Sequence, residues 1–394
     1  MVCRNSISNE FRQRWVKLKE KMITRGLDLL FIYSNDRAVF GPGNIRYLSN
    51  FPVHFEHAAI IMPRFGEPIL AVGPETREYA ELSSEVKDIR VIKEFAIPDE
   101  EYPYTSMTSL SAILEEIRSN SGNEVRSIGL IGLDLLPWSL YQVLENTLLS
   151  NRRVENAEDI LIDMRSIKSQ YEIEIIEEGY AIADKAMEAC VEAVHVGTTE
   201  LAIAAAGEAV MRKLGAEGYA IDTIVASGKQ RTYPIVVRPS DRKIEKGDVV
   251  LITMGPRYKG YNPAIGRPVI VGDAPEVIIE AMQLALKAQH AAEAALRPGA
   301  IGCDVEGMAR KVLAEAGLEQ YFVYAGVHSV GLAEFEPPIL SPKSNLQVKE
   351  NMVLSIDIPL FLTPWGGFRY EDGFVVTSDG CRRLNHFPRE IIKV

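Results

Sequence analysis

Three residues in the second half of the sequence have side chains that can take part in acid–base or metal chemistry. They are His328 in GVHSVGLAEFEPP, Asp357 in MVLSIDIPL and Glu371 in GFRYEDGFVVT. One imidazole and two carboxylates can hold an iron, manganese or zinc ion. In a cavity without a metal, the two carboxylates repel each other, which raises the pKa of one of them and suits acid–base catalysis. These three residues therefore allow two interpretations, a metal-binding site and a metal-free catalytic site.

The segment VVLITMGPRYKGYNPAIGRPV at 249–269 carries a family resemblance. It resembles the family of creatinase, prolidase and aminopeptidase P, whose peptidases have V-L-I-D-x-G followed by Y-x-G-Y-x-S-D-x-T-R. Thr253 and Ala264 stand at the two aspartate positions, at the spacing of the family. The resemblance implies an α/β N-terminal domain and an α+β C-terminal domain of the pita-bread fold. It also implies a two-metal site, from which two carboxylates are missing here.

The resemblance extends to other site positions, and several of these are altered as well. His328 and Glu371 match a metal-binding histidine and glutamate of the family, and Asp357 stands where a glutamate is usual. Two histidines of the peptidases are replaced, one by Ile235 in TYPIVVRP and one by Phe335 in FEPP. We therefore expect no metal and no other cofactor, and we expect His328, Asp357 and Glu371 to be the catalytic residues.

These replacements favour a metal-independent hydrolase of a small C–N compound of amide, amidine or guanidinium type, not a dinuclear metallopeptidase. Creatinase is the precedent in the family for metal-free hydrolysis of a guanidinium compound, and it resembles this chain in having alanine at the position of Ala264. Its mechanism does not carry over, because it relies on a histidine where this chain has Ile235. We expect the substrate to bring a cationic or hydrogen-donating group to the carboxylates. An inactive homologue that binds a partner and a lyase or ring-opening enzyme are the alternatives.

Further residues are candidates for substrate binding because of their type and their place in these motifs. The candidates are Arg231, Tyr233, Arg238, Thr253, Arg267, Phe335 and Arg369, together with His54 and His57 in FPVHFEHAA. Arginine can orient a carboxylate through paired hydrogen bonds. In the family, the N-terminal domain leans over the active site of a partner subunit. The resemblance therefore implies a homodimer with His54 or His57 near the partner's site.

The composition is that of a globular protein. The chain has 394 residues, of which 47% are hydrophobic and 25% charged, enough for two domains with substantial cores. A formal net charge of −11 without a basic cluster argues against nucleic-acid binding. There is no apolar run of the roughly 20 residues needed to span a bilayer, and the N-terminus lacks the apolar core of a secretory signal. We expect a cytoplasmic protein without a membrane partner.

Hydrophobic periodicity predicts the elements that position these residues. In a first domain, 1–160, residues 9–25 have helical spacing and LDLLFIYS is a buried-strand run in a mainly parallel sheet. NIRYLSNF resembles a family segment that begins the second strand of that domain. In a second domain, 161–394, helices are expected at about 169–195, 199–215, 274–296 and 302–317. Strands are expected there at 218–227, 248–255, 264–271, 321–329, 352–360 and 368–377.

Overall fold

The computed structural model describes residues 4–36, 41, 43–97, 99–103 and 105–394, with side chains from residue 7 onward. The chain divides into two compact units, of which one ends at Met164 and the other comprises Arg165–Val394. The boundary expected from the sequence lies slightly earlier, after residue 160.

The first unit alternates helices and strands. Its elements are α1 (Arg4–Arg25), β1 (Leu29–Ser34), α2 (Gly43–Ser49), β2 (Ala58–Pro63), β3 (Ile69–Val72), α3 (Arg77–Ser83), β4 (Asp88–Val91), α4 (Leu110–Ser121), β5 (Ser127–Ile131), α5 (Trp138–Leu144), β6 (Arg153–Asn156) and α6 (Glu158–Ser166). Within the described ranges these strands form a six-stranded sheet in the order β4-β3-β2-β1-β5-β6. The β1–β5, β5–β6 and β3–β4 pairings are parallel, and the β1–β2 and β2–β3 pairings are antiparallel.

The segment NIRYLSNF is not the start of a strand. It forms most of helix α2, which buries Ile45 and Leu48, and Ser34 Oγ accepts a hydrogen bond from the Ile45 N–H near the start of this helix. The helix ends before Asn50, whose φ of 62° lies in the left-handed region that asparagine tolerates. Because β1 already pairs with β2 and β5, this segment packs beside the sheet rather than within it.

The second unit contains two helix pairs, each followed by strands. Its elements are α7 (Gln170–Ala193), α8 (Glu200–Lys213), β7 (Gly218–Tyr219), β8 (Ile224–Ser227), α9 (Gly228–Thr232), β9 (Val249–Met254), β10 (Pro256–Arg257), β11 (Ile265–Ile270), α10 (Glu276–Ala295), α11 (Gly302–Glu315), β12 (Val327–Ser329), β13 (Glu336–Ile339), β14 (Val353–Thr363), β15 (Gly366–Val376), β16 (Cys381–Arg383) and β17 (Ile392–Lys393). The expected helices are confirmed, with ends shifted by one or two residues.

The start and end of α7 follow from its sequence. Ser169 caps the helix by accepting a hydrogen bond from the Glu172 N–H, while the Glu172 carboxylate accepts one from the Ser169 N–H. The apolar residues at steps of three and four all lie buried on one face of this helix, as the spacing predicts: Ile173, Ile176, Tyr180, Ala183 and Met187. The helix ends at Ala193, where Val194 turns extended, and Gly197, with φ of 91°, follows four residues after the last helical residue.

The main sheet of this unit has nine strands within the described ranges. Seven follow the order β13-β12-β14-β15-β11-β9-β8, while β16 pairs with β15 and β17 pairs with β11. Helix α10 packs on one face of β14, where Met282 and Ala285 join a core with Ile356 and Ile358. Successive strand residues point to opposite faces, so Ser355 and Asp357 face away from α10. That second face carries the candidate site.

No helix among the described residues combines the length and the apolar character that crossing a membrane requires.

Candidate functional site

A row of side chains runs across four neighbouring strands on the face opposite α10. Asp357 on β14 pairs directly with Glu371 on β15, and Glu371 pairs on its other side with Gly266 of β11. Gly266 in turn pairs with Thr253 of β9. Residues directly opposite each other in an antiparallel pair share a face. The register therefore gathers residues that lie far apart in the sequence.

The His328 side chain belongs to the next row on the same face. His328 on β12 pairs with Ser355, two residues before Asp357. Its Nδ1 lies 3.2 Å from the backbone oxygen of Ser329, and because a carbonyl only accepts, Nδ1 carries the hydrogen of that bond. The ring of Phe335 packs against the imidazole, with the centroids 4.4 Å apart. The hydrogen bond to Ser329 orients the ring so that Nε2 is the nitrogen that could bind a metal.

Glu371 is a buried carboxylate with one oxygen available. Its Oε1 accepts a hydrogen bond from Ser355 Oγ at 3.1 Å. Its Oε2 is buried and has no hydrogen-bond partner among the residues that the structure describes. Burial, together with the charges of Asp357 and Glu334, raises the pKa of Glu371 well above its ordinary value of 4.5. A proton or a cation at Oε2 would satisfy this group.

Asp357 has different partners. Its Oδ2 accepts a hydrogen bond from the Tyr324 hydroxyl at 2.5 Å and lies 3.6 Å from Nη1 of Arg369. Burial raises the pKa of Asp357, and the charge of Arg369 opposes this shift. Arg369 also donates to the backbone oxygen of Ile235 at 3.0 Å, and its guanidinium lies 5.2 Å from the ring centre of Phe361. Arg369 thus links Asp357 to the segment that follows α9.

Three side chains lie close enough together to hold a metal ion and are here called the ligand group: His328, Glu334 and Glu371. Each offers one nitrogen or oxygen atom, and these atoms all lie within 4.8 Å of one another. Glu334 Oε1 is 3.9 Å from His328 Nε2. Asp357, which the sequence suggested as a ligand beside His328 and Glu371, is not a member of this group.

Thr253 and Ala264, at the two altered positions, are both buried. Thr253 Oγ1 has no hydrogen-bond partner within the described part of the chain. A hydroxyl and a methyl group cannot supply the anionic oxygens of aspartate, so this side of the site offers no carboxylate at positions 253 and 264.

The structure does not bring the arginines of the 231–238 segment to the ligand group. Arg231 Nε donates to both carboxylate oxygens of the buried Glu200, at 3.0 and 2.8 Å. The Arg238 side chain is 84% exposed and pairs with Asp222. Tyr233 is also exposed. Arg231 therefore anchors this segment, and substrate contact by Tyr233 and Arg238 stays a prediction.

Arg267 points to the opposite face of the sheet. It follows Gly266, which lies in the site row, so alternation directs its side chain away from the site. There it is fully buried, 2.5 Å from Asp372, and it donates to the backbone oxygen of Glu371. The interpretation of Arg267 as a substrate-binding residue has no support in this geometry.

The two histidine candidates of the first unit differ in exposure. The His54 side chain is 77% exposed and lies 3.8 Å from Asp36. His57 lies 2.6 Å from the Tyr33 hydroxyl and packs near the ring of Phe95. Their contact with a partner subunit stays a prediction.

Sequence reasoning missed Glu334, Tyr324 and Ser355. Glu334 stands in the motif GLAEFEPP, six residues after His328, where an acidic residue near a candidate ligand was the available signal. Ser355 reaches Glu371 from the neighbouring strand β14, and Tyr324 reaches Asp357 from the segment before β12, contacts that the sequence alone does not display.

Comparisons with known proteins agree with this architecture. The model described as metallopeptidase family M24 matches residues 174–378, and the creatinase/prolidase N-terminal domain matches residues 14–167. The Xaa-Pro dipeptidase of Pyrococcus furiosus is 36% identical over 272 residues, which cover 64% of this chain and 78% of that protein. The Xaa-Pro dipeptidase of Pyrococcus horikoshii is 38% identical over 61% of this chain and 68% of its own length. The crystal structure of the prolidase from Pyrococcus horikoshii OT3 is 29% identical, has a TM-score of 0.83, and covers 96% of this chain and 100% of that one.

A chain with these matches is a two-domain protein of the prolidase type in fold, with an α/β N-terminal domain and a pita-bread C-terminal domain, as expected. It belongs to metallopeptidase family M24.

Two expectations from the sequence are wrong in the light of this membership. The chain was expected to be a metal-independent hydrolase of a small C–N compound, and a dinuclear metallopeptidase was excluded. Its similarity is instead to Xaa-Pro dipeptidases, and its family is one of metallopeptidases. The expectation gave too much weight to Thr253 and Ala264, and it left Glu334 out of the ligand inventory.

The family implies a bound metal, and the ligand group fits a divalent ion. An imidazole nitrogen with a lone pair and two carboxylates are ordinary donors for manganese, iron or zinc. Glu371 Oε2 is buried and has no hydrogen-bond partner among the described residues. A bound ion would give this oxygen the partner that it lacks.

Proposed function

We propose that this protein is a metal-dependent hydrolase of short peptides, acting on dipeptides of the Xaa-Pro type. The observation that carries the proposal is the buried ligand group on the sheet face of an M24 domain. Similarity to two Xaa-Pro dipeptidases supports the choice of substrate class. The ligand group would hold at least one divalent ion.

The chemistry that a bound divalent ion supplies is Lewis acidity, which polarises a peptide carbonyl and lowers the pKa of water. His328 and Glu371 contribute by holding their donor atoms in fixed positions. The imidazole is fixed by the Ser329 carbonyl and the Phe335 ring, and the carboxylate is fixed by the Ser355 hydroxyl. Fixed ligands avoid reorganisation during the reaction.

Asp357 is the group best suited to bind the amino end of a dipeptide. Its Oδ1 is buried and has no hydrogen-bond partner among the described residues, whereas its Oδ2 is held by Tyr324 and Arg369. A free amino terminus is cationic near neutral pH, so it fits the expectation of a cationic substrate group beside a carboxylate. An acetylated amino terminus lacks that charge.

Proline release from dipeptides tests this function. Metal-stripped protein is incubated with Mn²⁺, Co²⁺ or Zn²⁺ and with Met-Pro, Met-Ala or N-acetyl-Met-Pro. We expect cleavage of Met-Pro that needs an added metal, weaker cleavage of Met-Ala, and little cleavage of the acetylated peptide. His328→Ala and Glu371→Gln should abolish it. Absence of cleavage of every peptide with every metal would contradict the proposal.

We also propose a homodimer in which His54 or His57 of one subunit lies near the site of the other, with the protein located in the cytoplasm. The family resemblance of the first domain supports the dimer. Light scattering at micromolar concentration checks it, and a monomer mass would contradict it.

A further inference from the structure

The segment between β12 and β13 holds Glu334 in place. The Ala333 N–H, one residue before Glu334, donates to Oε2 of Glu336, two residues after it, at 3.2 Å. Glu336 is itself fixed, because the buried Lys168 donates to its Oε1 at 3.3 Å and Arg165 pairs with its other oxygen. The backbone that carries Glu334 is therefore anchored by a buried ionic network. The Glu334 side chain itself is only 12% exposed.

The same region brings Glu334 beside the imidazole of His328. The pairing of β12 with β13 changes register between His328 and Ser329, and the chain then turns before Glu336 returns to pair with Ser329. This turn places Glu334 Oε1 3.9 Å from His328 Nε2. His328, Glu334 and Glu371 each offer one ligand atom here, and these atoms all lie within 4.8 Å of one another.

Asp357 is a weaker candidate for the third ligand. One of its oxygens is occupied by the Tyr324 hydroxyl and the Arg369 guanidinium. Glu334 has no arginine or lysine among its ion-pair partners in the described residues, where its one ion-pair contact is His328.

The number of negative charges at the site also favours Glu334 as a metal ligand. Thr253 and Ala264 remove two negative charges from positions where the resemblance calls for aspartates. Metal binding requires a neutral histidine and ionised carboxylates, so the ligand group would bring two negative charges to one divalent cation.

We infer that Glu334 is a metal ligand, which completes a site with His328 and Glu371 in place of the carboxylates absent at positions 253 and 264. This inference rests on the proposed metal dependence, but its test does not require peptide hydrolysis.

Titration calorimetry of the metal-stripped protein with Mn²⁺ and with Zn²⁺ tests the inference, using Glu334→Gln and the matched control Asp357→Asn. Loss of a partner that only orients a ligand weakens metal binding by about 10- to 100-fold, so loss of a ligand should cost at least about 100-fold. We expect that loss in Glu334→Gln and a change below about fivefold in Asp357→Asn. Glu334→Asp should retain part of the affinity. Circular dichroism verifies that each variant is folded.

Cobalt absorption gives a second measurement that is independent of catalysis. The visible spectrum of the Co²⁺-loaded protein should change in Glu334→Gln and stay unchanged in Asp357→Asn, since the spectrum depends on the ligands. Binding by Glu334→Gln equal to that of the unmodified protein, or loss of the ion in Asp357→Asn alone, would overturn the inference. If binding depends on Glu334 and no peptide is cleaved, the inference stands and the proposed function fails.

Discussion

Asp357 and Glu371 face each other directly across β14 and β15, yet their partners differ in charge. Asp357 has the Arg369 guanidinium 3.6 Å from one oxygen, whereas Glu371 receives a hydrogen bond from the neutral Ser355 hydroxyl. Two buried carboxylates at directly paired strand positions repel each other when both are ionised. Without a bound metal ion, we therefore expect Glu371, rather than Asp357, to bind a proton first as the pH falls.

This arrangement predicts how stability depends on pH in the metal-free protein. The pKa of Glu371 is raised in the folded state above its ordinary value of 4.5, so the folded protein binds more protons than the unfolded chain between those two pKa values. Stability should fall as pH rises through this window, by up to about 1.4 kcal/mol per pH unit. Glu371→Gln should lack this decline. Urea unfolding of both proteins in chelator, from pH 4.5 to 8, measures the difference.

Saturating Mn²⁺ is the control for this prediction. A metal ion binds the ionised carboxylate, so it should remove the decline in the unmodified protein and leave the variant unchanged. Parallel stability curves for the two metal-free proteins would show that Glu371 does not carry the extra proton.

Arg369 should matter more for stability than an exposed arginine. Arg369→Met leaves Asp357 buried without its cation, and breaking a buried pair costs about 3–5 kcal/mol. The control is Arg382→Gln, because Arg382 pairs with Glu177 on the surface and such pairs contribute about 0–1 kcal/mol. Urea unfolding measures both. Adding Asp357→Asn to Arg369→Met should recover part of the loss, and equal effects of the two arginine variants would contradict this account.

The sequence predicts the helices of the second unit well, since their apolar spacing and capping residues are local. It predicts His328 and Glu371 because each stands in a short motif. Glu334 escapes because its position depends on a register change after His328 and on the pairing of Glu336 with Lys168, which lies far earlier in the chain. Such long-range contacts leave no periodic signal.

The orientation of Arg267, in contrast, follows from a local rule. Its neighbour Gly266 lies in the row with Glu371, so strand alternation alone directs Arg267 to the other face. NIRYLSNF is a case in which the family resemblance predicted the start of a strand, whereas the segment forms most of helix α2.

Substitution of Tyr180, unlike that of Arg369, is not expected to reduce the stability of the protein. Its hydroxyl is buried without a hydrogen-bond partner among the described residues, and the ring fits closely against Gly373, where an added Cβ would lie 2.0 Å from Cζ. A buried polar group without a partner costs about 1–3 kcal/mol. Tyr180→Phe should therefore leave stability unchanged or increase it by about 1 kcal/mol.

Tyr261→Phe is the matched control for Tyr180→Phe. The Tyr261 hydroxyl donates to Glu172 at 2.9 Å in a buried setting, and a hydrogen bond to a charged group contributes about 1.5–3 kcal/mol. In thermal unfolding, Tyr261→Phe should lower the melting temperature, whereas Tyr180→Phe should leave it unchanged or raise it. A loss of stability in Tyr180→Phe as large as that in Tyr261→Phe would indicate a partner for Tyr180 that the hydrogen-bond pattern does not include.

The last prediction concerns Glu200, a fully buried carboxylate at the start of α8 that holds the segment after β8. Its oxygens accept hydrogen bonds from the backbone and side chains of Ser227 and Ser240 and from Arg231. The amide nitrogen of glutamine cannot accept these bonds. Glu200→Gln should therefore remove one of the two oxygens that accept from Arg231, leave the donors of one serine without an acceptor, and destabilise the protein by about 3 kcal/mol.

Glu200→Gln should also affect the candidate site, because the segment that Glu200 holds contacts Arg369 through Ile235. The Ile235 backbone oxygen accepts from Arg369, which lies beside Asp357, so a loosened segment frees the guanidinium that compensates that carboxylate. We expect faster tryptic cleavage after Arg231 and about a tenfold lower kcat/KM for Met-Pro, with metal affinity unchanged because His328 and Glu371 lie on other strands. Glu208→Gln, on the same helix and only partly buried, is the control and should change none of these quantities. If Glu200→Gln alters metal affinity as strongly as it alters kcat/KM, the segment acts on the whole site and not through Arg369.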